Sequence, residues 1–281
     1  MQVLTKRKDN TMYPQNLHTH GVLCDGKDTY ESTVQRALEL GFTSIGFSGH
    51  SYMSYSPSHS MSVEGTEEYK KQIRALQKKY EGKIDIFCGI EFDMYSEDPL
   101  KDYDYIIGSV HYLLINGEYV GFDRSAEEVK RVIDTYFGGD GMKYAKMYYE
   151  TMCELHKYAK SDIIGHFDLI TKHTETHNFF DTESKEYRSY AIEALHEVAK
   201  HCNVFEVNTG AISRGYRTTP YPQPFILKEM KEMGCGIVIS SDCHDNRYLD
   251  CNFKEALELI KSCGFREVLT LTKNGFVPHR I

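Results

Sequence analysis

Apolar positions in this chain come in short bursts separated by longer amphipathic stretches. Leu17–His20 is the first burst, and Asp28–Leu40 follows with Val34, Ala37 and Leu38 on one helical face. Thr29 or Ser32 is placed to cap that helix and Gly41 to end it. Ser44–Ser48 is the second burst; Thr66–Tyr80 is the next helix, with Thr66 as its cap and Ile73, Leu76 and Tyr80 spaced for burial. Ile84–Ile90, Tyr105–Val110, Ile163–His166, Val204–Val207 and Gly236–Ser241 continue the bursts up to a seventh. Helices are predicted over Lys185–Cys202, from Pro224 to Gly234 and over Asn252–Cys263, before a last short burst at Glu267–Leu271.

One excursion, residues 116–160, interrupts this alternation. Asn116-Gly117 between Leu113-Leu114-Ile115 and Tyr119-Val120 predicts a hairpin. Helices over Ala126–Phe137 and Met142–Lys160 follow on either side of Gly138-Gly139-Asp140-Gly141, and the excursion is expected to help cover the site. Short β and longer α segments alternating without a composition break imply an α/β domain with a parallel sheet. Seven or eight such units favour a (β/α) barrel over an open sheet.

Composition narrows the picture. The 281 residues are 41% hydrophobic, enough for one substantial core and too apolar for a disordered chain. A net charge of −8 without a basic tract argues against a nucleic-acid binder, while leaving room for a small phosphate held by a few arginines. The first sixteen residues lack the apolar core of a signal peptide, and no run approaches the ~20 apolar residues of a membrane span, so a cytoplasmic protein without a membrane partner is expected. The eight cysteines are scattered and form no C-x-x-C, which reads as reduced core residues rather than a disulfide framework.

The chemistry lies at the ends of the bursts. His18 and His20 end the first, with Asp25 close behind; His50 follows the second, Glu91 the third and His111 the fourth. His166 and Asp168 end the fifth, Asp242 and His244 the seventh. Taken singly, each is a loop histidine or a capping carboxylate. In a parallel barrel all strand C-termini open on one face, so these groups are expected to converge there. Imidazoles and carboxylates without thiolate suit Zn, Mn or Fe, and nine such donors exceed what one ion takes. Several metals in one cleft favour phosphate-ester hydrolysis, because they lower the pKa of water from 15.7 to about 7 and neutralise phosphoryl charge.

His18-Thr19-His20 with Asp25, Ser48-Gly49-His50, Gly89-Ile90-Glu91, Gly108-Ser109-Val110-His111, Gly165-His166-Phe167-Asp168 and Ser241-Asp242-Cys243-His244 resemble, in order, the motifs of the PHP (polymerase and histidinol phosphatase) superfamily. The resemblance implies a distorted (β/α)7 TIM-like barrel, the PHP fold, as a single domain over residues 1–281 with its core at about 16–262, and Glu267–Leu271 outside the barrel or at its rim. It implies a trinuclear metal centre. His18, His20, Glu91 and Asp242 would hold the first ion; Glu91, His111 and His166 the second; Asp25, His50 and His244 the third. Ser48-Gly49-His50 departs from the Thr-Asp-His of many relatives, keeping the ligand and losing a neighbouring carboxylate.

The absence of a polymerase module, with Glu206-Val207-Asn208-Thr209-Gly210 followed by arginines, resembles the histidinol phosphatase branch. That branch hydrolyses L-histidinol phosphate to L-histidinol and phosphate in histidine biosynthesis, here through a metal-bridging hydroxide. Arg214 is the expected phosphate clamp and Arg217 the second, because a guanidinium forks onto phosphate; Lys172 and His173 rank below them. Asp168 is the expected proton donor to the leaving alkoxide, or else orients a ligand histidine. The competing readings are a phosphoesterase acting on a nucleotide or another small phosphomonoester, and a metal-binding regulatory module without turnover.

Overall fold

The computed structural model describes residues 13–281. The chain runs β1 (Gln15–Asn16), α1 (Tyr30–Glu39), β2 (Ser44–Phe47), α2 (Val63–Lys79), β3 (Asp85–Asp93) and β4 (Tyr105–Ser109). A hairpin of β5 (Tyr112–Ile115) and β6 (Glu118–Gly121) follows, then α3 (Ala126–Phe137), α4 (Gly141–Glu154) and β7 (Ile163–Ile164). The remainder is α5 (Lys185–Val198), β8 (Val204–Asn208), α6 (Gly210–Ser213), α7 (Pro224–Glu232), β9 (Gly236–Ser240), α8 (Phe253–Ser262), β10 (Glu267–Thr272) and β11 (Gly275–Arg280).

Seven strands form one sheet in the order β1-β2-β3-β4-β7-β8-β9, and every pairing in it is parallel. The two ends of this sheet meet. Thr19 bridges to Cys243, His20 N–H donates to the Cys243 carbonyl at 2.8 Å and Cys243 N–H to the His18 carbonyl at 3.0 Å. The Asn16 side chain donates across the same seam to Ser241 Oγ. The result is a distorted seven-stranded (β/α) barrel.

Alternation along each strand divides its side chains. Ile86, Cys88 and Ile90 of β3 join the large layer under the helices; Phe87 joins a smaller interior cluster with Leu17, Tyr105, Ile107, Ile163, Val238 and Leu271. Tyr105 fills this interior, its hydroxyl donating to the carbonyls of Leu17 and Phe47. Gly46 and Gly89 make room for its ring, and a Cβ at either would fall on ring atoms. The β10–β11 hairpin closes the opposite mouth: Leu271 enters the interior cluster, and Gln15 exchanges two hydrogen bonds with its backbone.

Some boundaries differ from those the pattern predicts. Helix α2 starts three residues earlier, capped by Ser62, whose Oγ accepts the Gly65 N–H, while Thr66 turns its hydroxyl back to the Ser62 carbonyl. The stretch expected as one helix from Met142 ends at Glu154 and gives way to a 3-10 turn over Leu155–Lys157. The β1 ladder stops at Asn16 because its side-chain Oδ1 takes the His18 N–H, pulling the next residues out of the pairing. The hairpin is present, with Asn116 and Gly117 both at positive φ as its tight turn requires. Among the described residues no helix is long and apolar enough to cross a membrane.

Candidate metal centre and cleft

Strand C-termini and the turns after them build one cleft of about 650 Å³. His18 and His20 project from the turn after β1, their rings 5.2 Å apart. Glu91 lies within β3, fully buried, and the other groups surround it. His166 Nε2 is 3.0 Å from one Glu91 oxygen and His111 Nε2 3.5 Å. His50 Nδ1 is 2.9 Å and His18 Nε2 3.2 Å from the other. Asp242 Oδ1 lies 3.3 Å from His20 Nε2, and His244 Nε2 lies 3.3 Å from Asp25 Oδ1. Asp242 sits at φ 46°, a conformation aspartate tolerates better than most residues, and this turns its carboxylate inward.

All nine predicted donors therefore meet around one space. Ligand atoms of His18, His20 and Glu91 lie within 4.8 Å of one another, as do those of His50, Glu91 and His111, and those of His20, Asp25, His50 and His244. The groups overlap more than the expected partition: His20 also faces the Asp25 set, and His50 also faces Glu91. Five buried atoms, His18 Nε2, His20 Nε2, Asp25 Oδ1, His50 Nδ1 and Glu91 Oε2, have no hydrogen-bond partner among the described residues. Leaving one such atom unpaired costs about 1–3 kcal/mol, so five aimed at one space describe a cage for cations. The imidazole–carboxylate donor set fits divalent metals of the Zn, Mn and Fe group.

The electrostatics bind the same groups together, and against the cost of burial the buried carboxylates raise His18, His50 and His111. Burial opposes charge on Glu91, yet His18, His50 and His111 hold it well below the usual carboxylate range. Burial likewise opposes charge on Asp242, and Arg214 and His18 hold it down. Burial, with His244 and His50 beside it, pulls His20 down to about 3, so that imidazole is neutral and free to donate its lone pair.

Behind the donors stand groups that the sequence reading did not assign. Glu206 is buried on β8; its Oε1 lies 2.7 Å from His18 Nδ1, and its Oε2 accepts the His166 N–H at 2.8 Å. Asp93, two residues after Glu91, accepts the His111 N–H and faces His111 Nδ1, both at 3.1 Å, and also accepts from the Tyr55 hydroxyl. A carboxylate inside an apolar strand was the available clue to both. Gly210 lets Arg214 approach Asp242, since a Cβ there would press on both residues.

Arg214 lines the cleft. Its guanidinium donates to the Asp242 carbonyl at 3.1 Å and to Asp242 Oδ2 at 2.9 Å, beside His244. Arg217 does not line it, against expectation. It is 6% exposed, and its guanidinium is spent on Thr171 and Thr219, which tie the loop after β8 to the turn after β7. Asp168 is also a correction. It precedes the 3-10 turn Leu169–Thr171 and is fully buried; Oδ2 accepts the Gln223 N–H, and Oδ1 has no hydrogen-bond partner among the described residues. Burial raises its carboxyl to about 6, and it is not among the residues that line the cleft. Lys172 reaches the cleft and pairs with Asp123 at 3.1 Å; His173 does not line it. From the excursion, Asp123 and Arg124 line the cleft, while α3 and α4 pack outside it.

The PHP domain family profile matches residues 16–210. The chain is 29% identical over 265 residues to a protein of Deinococcus radiodurans named as a probable histidinol-phosphatase, covering 89% of this chain and 94% of that one. It is 25% identical over 255 residues to the histidinol-phosphatase of Bacillus subtilis, covering 83% and 94%. The structure of a histidinol phosphate phosphatase from Lactococcus lactis, complexed with Zn, L-histidinol and phosphate, superposes with a TM-score of 0.71 at 21% identity, covering 94% of this chain and 98% of that one.

Proposed function

Because this chain belongs to the PHP domain family, we propose that it is a metal-dependent phosphomonoesterase that hydrolyses L-histidinol phosphate to L-histidinol and phosphate. The observation that carries the reading is the ring of unpaired imidazole and carboxylate atoms around Glu91, in a chain that spans nearly the full length of relatives named as histidinol-phosphatases. His18, His20, Asp25, His50, Glu91, His111, His166, Asp242 and His244 would hold three ions of the Zn, Mn or Fe type, with Glu91 shared. Such ions, when bound, acidify water toward neutrality and neutralise phosphoryl charge.

The protein's own groups do the rest. Arg214, fixed by Asp242, presents a permanent positive charge at the cleft wall, where charge builds on the phosphoryl oxygens. Lys172 adds a second cation from the turn after β7. Glu206 and Asp93 accept from the outward nitrogens of His18 and His111, which fixes those tautomers with Nε2 facing inward. Nothing in the cleft geometry favours Asp168 as a proton donor, and the step is not assigned to it.

Phosphate release from L-histidinol phosphate by metal-loaded protein, against a panel of other phosphomonoesters and a chelated control, tests this. A kcat/KM about a hundredfold above the panel, equivalent to nearly 3 kcal/mol of preferential transition-state binding, is expected. Equal slow cleavage of every ester would leave a phosphoesterase of other specificity. Metal retained without any release would leave a binding module.

A further inference from the structure

The Asp93 carboxylate behind His111 is held from two sides. Oδ2 takes the His111 backbone N–H and faces His111 Nδ1, both at 3.1 Å. Oδ1 takes the Tyr55 hydroxyl at 3.2 Å and the Tyr95 N–H at 3.3 Å. Burial and the adjacent Asp93 push the Tyr55 hydroxyl up, so it keeps its proton and is the donor of the pair. Tyr55 lies in the loop between β2 and α2 and is not among the residues that line the cleft. The β5–β6 hairpin holds it there. The Tyr55 ring stacks on Tyr119 of β6, centroids 4.1 Å and planes 22° apart, and meets the Tyr112 ring of β5 edge-on at 5.0 Å. The Tyr112 hydroxyl donates to Ser56 Oγ at 2.6 Å, one residue along from Tyr55. Tyr95 closes the group, 5.3 Å from Tyr119.

The hairpin begins at the residue after His111, and no ladder ties it to the barrel sheet. Leu113 and Val120 anchor it in the large core layer, and its two tyrosine rings tie it to the loop after β2. A metal-ligating imidazole is oriented by the acceptor on its outer nitrogen, and loss of such a partner costs about 10–100-fold in metal affinity. We propose that Tyr55 is a positioning residue for His111 and that the β5–β6 hairpin is the element that holds it: Tyr55 fixes the Asp93 carboxylate, Asp93 fixes the imidazole, and the Tyr112 and Tyr119 rings keep Tyr55 against the strand end. The inference rests on the reading of His111 as a metal ligand. It gives the hairpin a task other than covering the cleft. The segment that starts at the ligand folds back and braces it. Stacked rings over the Tyr55–Asp93 bond also keep water from competing for it, which strengthens each bond in the series.

The test titrates cobalt(II) into the full-length metal-free protein and follows both affinity and the visible absorption band, which reports ligand geometry around the ion. No substrate is needed, so the outcome is independent of what the protein hydrolyses. Tyr55→Phe keeps the ring and its stacking and removes only the hydroxyl; Tyr119→Ala keeps the hydroxyl and removes the ring beside it. Tyr55→Phe is expected to lower cobalt affinity about tenfold at one site and to shift the band. Tyr119→Ala moves both in the same direction and by less. In an Asp93→Asn background Tyr55→Phe adds no further loss, because it acts through that carboxylate. A Tyr55→Phe protein that binds cobalt with unchanged affinity and spectrum overturns the proposal, even where its metal-free melting temperature falls, since the hydroxyl would then serve stability alone. Losses that add in the double variant overturn the route through Asp93. Cobalt binding weakened by Tyr55→Phe and untouched by Tyr119→Ala overturns the part given to the hairpin. An unsubstituted protein that takes up no cobalt would instead remove the metal reading beneath it.

Discussion

Glu206 shows how far a single residue's role can be read from its neighbours in sequence. It interrupts an apolar strand, and alternation puts it on the opposite face from Phe205 and Val207, toward the barrel axis. What the sequence does not contain is that His18, 188 positions away, lies 2.7 Å from it. Replacing Glu206 by Gln keeps the shape and removes the charge that raises His18 against the cost of burial. Metal content measured after dialysis, and kcat/KM with it, is expected to fall about 10–100-fold, with little change in far-ultraviolet circular dichroism. The two arginines separate in the same way. Both follow β8 in a polar loop, and their spacing says nothing of which guanidinium faces the cleft. Arg214→Ala is expected to lower kcat/KM about a hundredfold or more with a small stability change, because it removes a charge at the proposed phosphoryl site. Arg217→Ala is expected to leave KM near its original value and to lower unfolding free energy by about 3 kcal/mol in urea titration, because it strips donors from the buried carbonyl and hydroxyl oxygens of Thr171 and unties the exposed Thr219 from them.

Elements were more legible than residues, and for a physical reason. Strands β2, β3, β4, β8 and β9 are buried along most of their length and so read as apolar runs, and helices α1, α3 and α8 carry a clear one-sided stripe. Boundaries set by side-chain hydrogen bonds were less legible: Ser62 takes the cap of α2 from Thr66, and Asn16 ends β1 by accepting a backbone N–H. Glycines within strands carried information of another kind. Gly46 and Gly89 stand on adjacent strands over the Tyr105 ring, where no side chain fits. Gly89→Ala must displace that ring and the hydrogen bonds of its hydroxyl, and it is expected to cost about 2–3 kcal/mol, read as a lowered urea midpoint with unchanged m. The last burst, Glu267–Leu271, was expected outside the barrel or at its rim, and it forms the first strand of the final hairpin. That hairpin pairs only with itself, yet its Leu271 enters the interior cluster and closes the mouth away from the cleft.

At the scale of the molecule, barrel and metal-type cage are one construction. The donors come from residues 18 to 244, and the seam between β1 and β9 is joined by the backbone of His18, His20 and Cys243. Cations held, as proposed, by His18, His20 and Asp242 would therefore also tie the seam. Prolonged chelation is expected to lower the melting temperature by roughly 8 °C, since ligand present at about a thousand times Kd contributes about 4 kcal/mol. Hydrogen exchange should rise first around residues 15–20 and 240–245; uniform loosening would mean the seam is held by packing alone. The same seam bears on how the protein is made. Its first strand waits on a partner that leaves the ribosome some two hundred residues later, so no nascent chain shorter than the ninth strand can own a finished cage. Metal capture would thus report synthesis through the ninth strand, and a chain terminated before it would be left with an open edge and unliganded histidines.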